Sequence, residues 1–321
     1  MIEAQAPSGA ERPWRIVFFG SPDFSLPALQ ALHDGPDQVV LVVAPPPAPC
    51  GRGCKLRPAP LAKAATEMDL PLFEAKSVKN PAAVAAIAAA QPDLLVVAAY
   101  GGFLPPELLN FCPYPPLNIH PSLLPRHRGA APVSWALIKG DREIGVSIIF
   151  LGEKMDAGPI LSQRAFPADE PLSAGVWEER LARAGAEEMM KAIEGLKKGR
   201  GQARPQDEAL ASTNRLLRKD DGRVDFQRPA AELAGLINGV DPWPGARAPF
   251  QGKNLKLFGA ALSGEKTGAP AGEVLGLDEG GRLKVACGDG GVVLLAEVQP
   301  DCKKRMAAAD FICGYRPERL G

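Results

Sequence analysis

The sequence has few of the residues that hold metal ions or disulfide frameworks. Its 321 residues include only three histidines, and its six cysteines are scattered along the chain. Cys50 and Cys54 form a Cys-x-x-x-Cys pair, but no second ligand pair follows at the spacing of a zinc site. Such cysteines are typical of reduced thiols in a cytosolic protein. We therefore expect a cytoplasmic protein without a bound metal.

Long apolar runs are also missing. No run approaches the ~20 residues that a membrane-spanning helix needs. Residues 1–13 include Glu3 and Glu11 and lack the apolar segment of a secretory signal. We interpret them as a loose leader that precedes the fold, and we expect no membrane association.

The chain also lacks a net charge, because Lys+Arg and Asp+Glu both number 37. Global charge therefore gives no indication of a polyanionic partner. Locally, residues 38–66 contain four basic residues and no acidic one, and residues 197–219 contain seven basic residues against Asp207 and Glu208. Such stretches are usually solvated surface, although they could contact phosphates. These basic stretches neither establish nor exclude nucleic-acid binding.

The first half of the chain alternates short apolar runs with helical patterns, which is typical of βαβ units and a mostly parallel sheet. The predicted strands cover residues 15–19, 39–43, 94–99, 117–120 and 145–151. The predicted helices cover residues 26–32, 60–68, 81–90 and 173–196. A proline- and glycine-rich stretch, 45–60, interrupts this pattern and is predicted to be a surface loop.

The pattern changes in the last third of the chain. Residues 198–215 show no clear period and are interpreted as a linker. Beyond them, short strands at 255–258, 272–275, 283–286 and 292–298 alternate with glycine-rich turns, and a helix is predicted near 306–312. This spacing favours a small β-barrel or sandwich. The fold class is thus α/β: an open, mostly parallel, Rossmann-like sheet over 14–197, a linker over 198–215 and an OB-like β-barrel over 216–321.

The stretch whose side chains are best suited to catalysis is Leu117-Asn-Ile-His120. It lies on a predicted strand that ends before Pro121. Residues two apart on a strand point to the same face, so Asn118 and His120 project together. Ligands of α/β sheets usually bind where strands end. Asparagine offers a neutral hydrogen-bond donor, and histidine offers a charged one and can exchange protons near neutral pH. Together they could hold an oxyanion formed by attack on a carbonyl.

Asp156 is the second candidate, in the turn Met155-Asp-Ala-Gly-Pro159 after the strand at 145–151. A carboxylate beside His120 could favour the charged imidazolium and could receive the proton of an attacking amine. Each residue also has a plain structural reading, because Asn and Asp often shape turns through local backbone bonds. The residues alone therefore indicate acyl or formyl transfer and do not identify a more specific reaction.

A longer motif surrounds these residues. The string Asn118-Ile-His-Pro-Ser-Leu-Leu-Pro125, its continuation to Pro132 and the Asp156 turn resemble the signature of the N10-formyltetrahydrofolate-dependent formyltransferases. Further strings narrow the resemblance to the methionyl-tRNA formyltransferases: Phe19-Gly-Ser-Pro-Asp-Phe24, Gly51-Arg-Gly53, Asp241-Pro-Trp-Pro-Gly245 and Lys303-Lys-Arg-Met306. The resemblance extends from about Trp14 to the C-terminus.

The resemblance implies an activity and a set of partners. The family transfers the formyl group of 10-formyltetrahydrofolate to the amino group of methionine on initiator tRNA, in the cytoplasm and without a metal. We expect a monomer that binds initiator methionyl-tRNA and the folate co-substrate.

The resemblance also implies residue roles. Asn118, His120 and Asp156 fall on the catalytic positions. The folate-binding segment corresponds to Ser122, Leu123, Leu124 and Pro125. The predicted tRNA contacts are Arg52, Lys303, Lys304 and Arg305, and Arg52 corresponds to the arginine of a mobile loop that reaches the acceptor end.

This sequence departs from the family pattern at a few positions. Residues 44–49 read Ala-Pro-Pro-Pro-Ala-Pro where the family usually has a polar run, and Cys54 replaces a common basic residue. His127 stands where an aromatic residue is usual between two arginines. Residues 216–321 contain fifteen basic and fourteen acidic residues, so any tRNA contact there must come from a local patch.

Alternative functions remain compatible with parts of the sequence. The same chemistry serves acceptors such as an amino sugar nucleotide, glycinamide ribonucleotide or water, and the C-terminal β domain and the Gly-Arg-Gly loop favour tRNA over these. A non-catalytic RNA-binding relative is a further alternative, disfavoured by the intact Asn118, His120 and Asp156. A nicotinamide dehydrogenase is disfavoured because residues 19–24 lack the G-x-G-x-x-G spacing.

Overall fold

The computed structural model describes residues 12–50 and 55–321. The chain divides into two compact units, and each contains segments that are not contiguous in sequence. The N-terminal unit comprises residues up to 128 together with 145–165 and 179–213. The C-terminal unit comprises 129–144, 166–178 and 214–321. The domain boundaries given above stay a prediction.

The strands of the described residues are short, apart from β13 and β16. In chain order they are β1 (Arg15–Gly20), β2 (Gln38–Ala44), β3 (Ala48–Cys50), β4 (Lys55–Arg57), β5 (Leu72–Glu74), β6 (Leu94–Ala98), β7 (Leu117–His120), β8 (Arg128–Gly129), β9 (Glu143–Phe150), β10 (Ile160–Pro167), β11 (Thr213–Asn214), β12 (Ala246–Phe250), β13 (Lys253–Lys266), β14 (Val274–Leu277), β15 (Leu283–Ala286), β16 (Gly291–Pro300) and β17 (Met306–Ala307).

The α-helices range from one turn to more than six turns. In chain order they are α1 (Leu26–His33), α2 (Pro60–Glu67), α3 (Pro81–Ala89), α4 (Pro106–Leu109), α5 (Pro132–Ile138), α6 (Ala174–Lys197), α7 (Ala230–Gly239) and α8 (Ala308–Tyr315). None of them, within the described ranges, is long and apolar enough to cross a bilayer.

The sheet of the N-terminal unit has the strand order β10-β9-β7-β6-β1-β2-β5. Strands β5, β2, β1, β6 and β7 pair in parallel, and β9 pairs antiparallel with β7. The chain winds outward from β1 to β5 and then returns to place β6 on the other side of β1. A reversal of this kind creates a crevice at the carboxyl ends of the two central strands, where ligands of α/β proteins bind. In this sheet the crevice lies beyond Gly20 of β1 and Ala98 of β6.

Apolar side chains explain why these strands form. The central strands β1 and β6 are nearly continuous apolar runs and are buried, as expected of parallel strands covered on both faces. One face packs against α3 and the segment around α4, in a cluster that includes Val17, Phe19, Leu95, Ile87 and Leu108. The same cluster holds Tyr100 just after β6, and its ring lies edge-on to Phe19 with 5.7 Å between centroids. Burial raises the pKa of the Tyr100 phenol.

The C-terminal unit is built on an antiparallel sheet with the order β12-β13-β16-β15-β14, and β17 pairs with β16. Its core joins α7, α8 and the inner faces of these strands, around Leu233, Ile237, Leu257, Leu295 and Phe311. The buried Asn238 of α7 donates to the Ala260 carbonyl at 2.8 Å and accepts from the Ala260 amide at 2.9 Å. A mostly parallel α/β sheet and a smaller barrel-like antiparallel domain confirm the predicted fold class.

The sequence patterns missed several elements, among them β5, α5, α7, β10 and β12. Helix α7 contains Gly235 and Gly239, which reduce helix propensity by about 1 kcal/mol each relative to alanine. The structure shows why glycine is needed there, because a Cβ at Gly235 would overlap the Leu137 carbonyl of α5. Strand β10, with the sequence ILSQRAFP, mixes polar and apolar residues without a clean period of two.

Candidate active site

Strand β7 delivers two of the predicted site residues. Leu117 and Ile119 are fully or almost fully buried on one face, which directs Asn118 and His120 to the other. Asn118 is 8% exposed and His120 is 5% exposed, so both polar side chains lie almost entirely within the protein. Buried polar groups need partners, and the surrounding loops supply them.

Asp156 reaches these residues from a turn that follows β9. Because β9 runs antiparallel to β7, its last residue, Phe150, pairs with Leu117 at the amino end of β7. The turn therefore leaves the sheet at the end away from His120 and then returns toward it. Gly158 allows this path, since a Cβ at that position would overlap the Phe150 carbonyl oxygen. Asp156 itself adopts a left-handed backbone conformation with φ of 50°, which is uncommon for a residue other than glycine.

The three predicted catalytic side chains meet at one point. The Asp156 Oδ2 atom lies 3.7 Å from His120 Nδ1, and Asp156 Oδ1 lies 3.5 Å from Asn118 Nδ2. Both separations exceed ordinary hydrogen-bond lengths, so the carboxylate faces the two donors without being closed onto them. Catalytic contacts of this kind often tighten only when the substrates are bound.

The tautomer of His120 follows from its second ring nitrogen. His120 Nε2 lies 2.9 Å from the His127 backbone carbonyl, which can only accept a hydrogen bond. Nε2 therefore carries a proton and donates a hydrogen bond to that carbonyl. The remaining nitrogen, Nδ1, faces Asp156. The donors available beside Asp156 are thus Asn118 Nδ2 and, in the imidazolium form, His120 Nδ1.

The segment that carries the His127 carbonyl is itself held in place. His127 has a left-handed φ of 61°, and its amide donates to Ser212 Oγ at 2.9 Å. The next amide, of Arg128, donates to the Ser212 carbonyl at 2.8 Å. Two bonds from one residue therefore fix the orientation of the carbonyl that selects the His120 tautomer.

The predicted folate-binding segment, 122–125, is fastened to β9 and β10. The hydroxyl of Ser147 donates to the Ser122 carbonyl at 2.6 Å and accepts from the Leu124 amide at 3.2 Å. Gln163 donates to the Leu124 carbonyl at 2.8 Å. Ser147 is fully buried among the apolar residues of β9, and a polar residue in that apolar run was the signal by which its role could have been found.

The side chains of that segment are largely engaged within the protein. Ser122 and Leu124 are each 3% exposed, and the Ser122 hydroxyl donates to the Arg126 carbonyl at 2.8 Å. Leu123 and Pro125 are half-buried. A ligand would therefore meet the segment through its shape and its less buried residues rather than through the Ser122 hydroxyl.

A polar network absent from the sequence predictions supports the Asp156 turn. Gln206 donates to the carbonyls of Asp156 and Gly158, at 2.7 and 2.8 Å. Its own carbonyl accepts two bonds from the Arg128 guanidinium, at 2.9 and 2.8 Å. Arg128 also forms a two-pronged ion pair with Glu208, at 3.0 and 2.9 Å. The hydrogen bond from Arg128 lowers the pKa of Glu208 below its usual value.

The structure describes three of the four predicted tRNA contacts. Arg52 is outside the described residues. Lys303, Lys304 and Arg305 belong to the C-terminal unit and are exposed. The Arg305 guanidinium lies 3.9 Å from the centroid of the Phe258 ring and pairs with Glu297, so this cation is held against the sheet surface. No group of three or more His, Cys, Asp or Glu side chains within residues 12–50 and 55–321 is arranged to hold a metal ion.

The crowding at Gly158 gives a stability prediction. Gly158→Ala is expected to lower the free energy of unfolding by about 1–3 kcal/mol, because the added methyl group forces the turn away from Phe150. Gly152→Ala, in the same turn, is the control, since a Cβ there meets nothing within 4 Å and the change should stay below about 1 kcal/mol. Urea unfolding of both variants measures the difference. Equal stabilities would contradict the close approach of residues 150 and 158.

Family models match both halves of the chain. The model described as formyl transferase matches residues 14–193. The model described as formyl transferase, C-terminal domain, matches residues 216–316.

Similar proteins extend this match along nearly the whole chain. The methionyl-tRNA formyltransferase of Desulfotalea psychrophila is 43% identical over 98% of this chain and 97% of its own length. The methionyl-tRNA formyltransferase of Pelobacter propionicus is 40% identical over 93% of this chain and 92% of its own. Among solved structures, HypX from Aquifex aeolicus in complex with tetrahydrofolic acid superposes with a TM-score of 0.60 at 22% identity, over 93% of this chain and 47% of that one. This last likeness shows the fold alone.

Proposed function

Since the chain belongs to the formyl transferase family, in its methionyl-tRNA formyltransferase branch, we propose that it transfers the formyl group of 10-formyltetrahydrofolate to the α-amino group of initiator methionyl-tRNA. The observation that carries the proposal is the 43% identity to a methionyl-tRNA formyltransferase over 98% of the chain. The product is N-formylmethionyl-tRNA for the initiation of translation. The meeting of Asn118, His120 and Asp156 at one point supports the same chemistry.

The donor is proposed to lie between the loops that follow β6 and β7. The loops that follow β6 and β7 leave the sheet side by side, because these strands are parallel neighbours. Residues 101–103 after β6 are exposed, and Phe103 is 57% exposed. The 122–125 segment lines the other side. An extended planar co-substrate suits a groove between two such loops, with its formyl group directed toward Asn118 and His120.

The proposed reaction begins with attack of the neutral α-amine of methionyl-tRNA on the formyl carbon attached to N10. A nitrogen–carbon bond forms, and the carbonyl electron pair becomes an oxyanion. Asn118 Nδ2 and protonated His120 Nδ1 donate hydrogen bonds to this oxyanion. Stabilisation of developing charge by fixed donors is commonly the largest contribution to catalysis of acyl transfer.

In the proposed mechanism, Asp156 is the group that accepts a proton. Its carboxylate lies 3.7 Å from His120 Nδ1, next to one of the two proposed oxyanion donors. The attacking amine loses one proton to Asp156, and N10 gains one as the carbon–N10 bond breaks. The products are the N-formyl amide and tetrahydrofolate, and no net proton is released.

We propose that tRNA is held in part by the predicted contacts Arg52, Lys303, Lys304 and Arg305. Exposed cations of this kind attract phosphates without reading sequence. Arg305, which lies on the Phe258 ring and pairs with Glu297, presents a positioned cation beside two exposed lysines.

An acceptor assay tests the proposed function. Formyl transfer from 10-formyltetrahydrofolate is measured with charged initiator methionyl-tRNA, elongator methionyl-tRNA, free methionine and an amino sugar nucleotide. Transfer to the initiator tRNA, well above the other three acceptors, is the expected result. Transfer to the amino sugar nucleotide alone would instead indicate a small-molecule formyltransferase. Folate binding without transfer to any acceptor would contradict the assigned chemistry.

A further inference from the structure

Gln206 occupies a bridging position behind the candidate active site. Its amide nitrogen donates to two carbonyls of the turn that carries Asp156, and its amide oxygen accepts from Arg128. Both hydrogens and the oxygen are used, so every polar atom of this side chain is engaged. The side chain thus connects the Asp156 turn to the segment that follows His127.

The orientation of this amide is fixed by its partners. Carbonyl oxygens only accept hydrogen bonds, and a guanidinium only donates them. The Gln206 nitrogen must therefore face Asp156 and Gly158, and the oxygen must face Arg128. A flipped amide would lose four bonds at once, which makes the bridge rigid as well as directional.

The far end of the bridge is also anchored. Arg128 is held by Glu208 through two bonds, and its backbone amide donates to the Ser212 carbonyl. Ser212 holds His127, whose carbonyl accepts from His120. The stretch 206–212 therefore fastens both sides of the site, with Gln206 on the Asp156 side and Ser212 on the His120 side.

The Asp156 turn needs such support. Asp156 has a left-handed backbone, a conformation that is unfavourable for most residues other than glycine. The turn extends away from the sheet edge at Phe150 and must return to bring the carboxylate within 3.7 Å of His120 Nδ1. Hydrogen bonds to the carbonyls of Asp156 and Gly158 restrain the backbone on both sides of Ala157.

We propose that Gln206 is a positioning residue that holds the Asp156 carboxylate at its working distance from His120 and Asn118. Gln206 does not touch the reacting atoms and acts through the backbone of residues 156–158. The catalytic part of this inference rests on the proposed function. A displacement of about 1 Å in a catalytic group can cost ~10²-fold in rate, so loss of the bridge should be visible in kcat.

Two substitutions separate the bonds of the bridge. Gln206→Met keeps the length of the side chain and removes all four hydrogen bonds. Gln206→Glu keeps an acceptor for Arg128 and replaces the donors with oxygen, which faces the two carbonyls unfavourably. Gln30→Met, on an exposed position of α1, is the matched control because Gln30 bonds only Asp34. Thermal denaturation of each variant gives the folded fraction to which rates are normalised.

Two readouts test the role of Gln206. Amide hydrogen exchange, followed by mass spectrometry of peptides that cover 150–160, reports the turn without any substrate. The kcat–pH profile of formyl transfer reports the alignment of Asp156 with His120, because a simple loss of folded enzyme scales the profile without changing its shape. We expect faster exchange in the turn, a fall in kcat of about tenfold to hundredfold and an altered profile in both Gln206 variants, with the Gln30 variant unchanged.

The outcomes divide cleanly. Unchanged exchange at 150–160 in both variants would overturn the bridge, whatever the rates. Faster exchange with an unaltered kcat and profile would overturn the positioning role. If the wild-type protein formylates no acceptor, the proposed function fails, and the exchange experiment still decides whether Gln206 holds the turn.

Discussion

Replacing Asp156 by asparagine is expected to lower kcat for formyl transfer by about 10²–10⁴-fold, the range of a lost general acid–base group. Asparagine has nearly the same shape and tolerates the left-handed backbone at this position. It cannot accept the proton of the attacking amine, which is the role proposed for the Asp156 carboxylate. Binding of the folate should persist, because the substitution leaves the 122–125 segment intact.

Rapid-quench measurement of a single turnover isolates this effect from product release. Asp69→Asn is a matched control, since Asp69 is an exposed residue with a similar left-handed φ of 53°. The control should retain the wild-type rate. A rate for Asp156→Asn within threefold of the wild type would remove the proton-transfer role from this carboxylate.

Replacing His120 by alanine is the second large effect, with an expected fall in kcat of about 10²–10³-fold. The substitution removes one of two proposed donors to the oxyanion and the imidazole that faces Asp156. It also leaves the His127 carbonyl without its bond from Nε2, so some loss of stability is expected, on the order of 1–3 kcal/mol.

His33→Ala controls for the loss of an imidazole, because His33 is exposed at the end of α1. Measurements well below the unfolding temperature of the His120 variant keep the protein folded. The double variant of His120 and Asp156 should lose little more than the poorer single variant, since the two groups act as a unit. Additive losses would show that the two side chains work independently. Near-normal turnover of the His120 variant would show that His120 is structural.

Much of the N-terminal sheet could be predicted because its strands are buried on both faces. Residues 15–19 and 94–98 are almost purely apolar, and apolar runs bounded by turn residues are a strong local signal. Strand β13 shows the opposite case. It extends over fourteen residues, whereas only 255–258 were predicted, because its later residues alternate with glycine and polar groups and the strand is irregular between Leu262 and Lys266.

Some positions in the site follow from the local sequence, and others depend on contacts between residues far apart in the chain. The spacing of Asn118 and His120 on one strand was enough to predict that they project together. The distance from Asp156 to these residues depends on the antiparallel direction of β9 and on the path of a turn, neither of which a local pattern contains. Gln206 could not be predicted, since it bonds Asp156 across 50 positions from a stretch that reads as a linker.

The bonds made by Gln206 and Ser212 bear on how the enzyme can be divided. The formyl transferase model ends at residue 193, and the C-terminal model begins at 216, so the stretch 206–212 belongs to neither. A fragment trimmed to the first of these would retain Asn118, His120 and Asp156 and would discard what fastens both sides of them. In a graft or a domain exchange between relatives, the catalytic half must therefore extend at least to Ser212, because a junction placed earlier separates the reacting groups from their support.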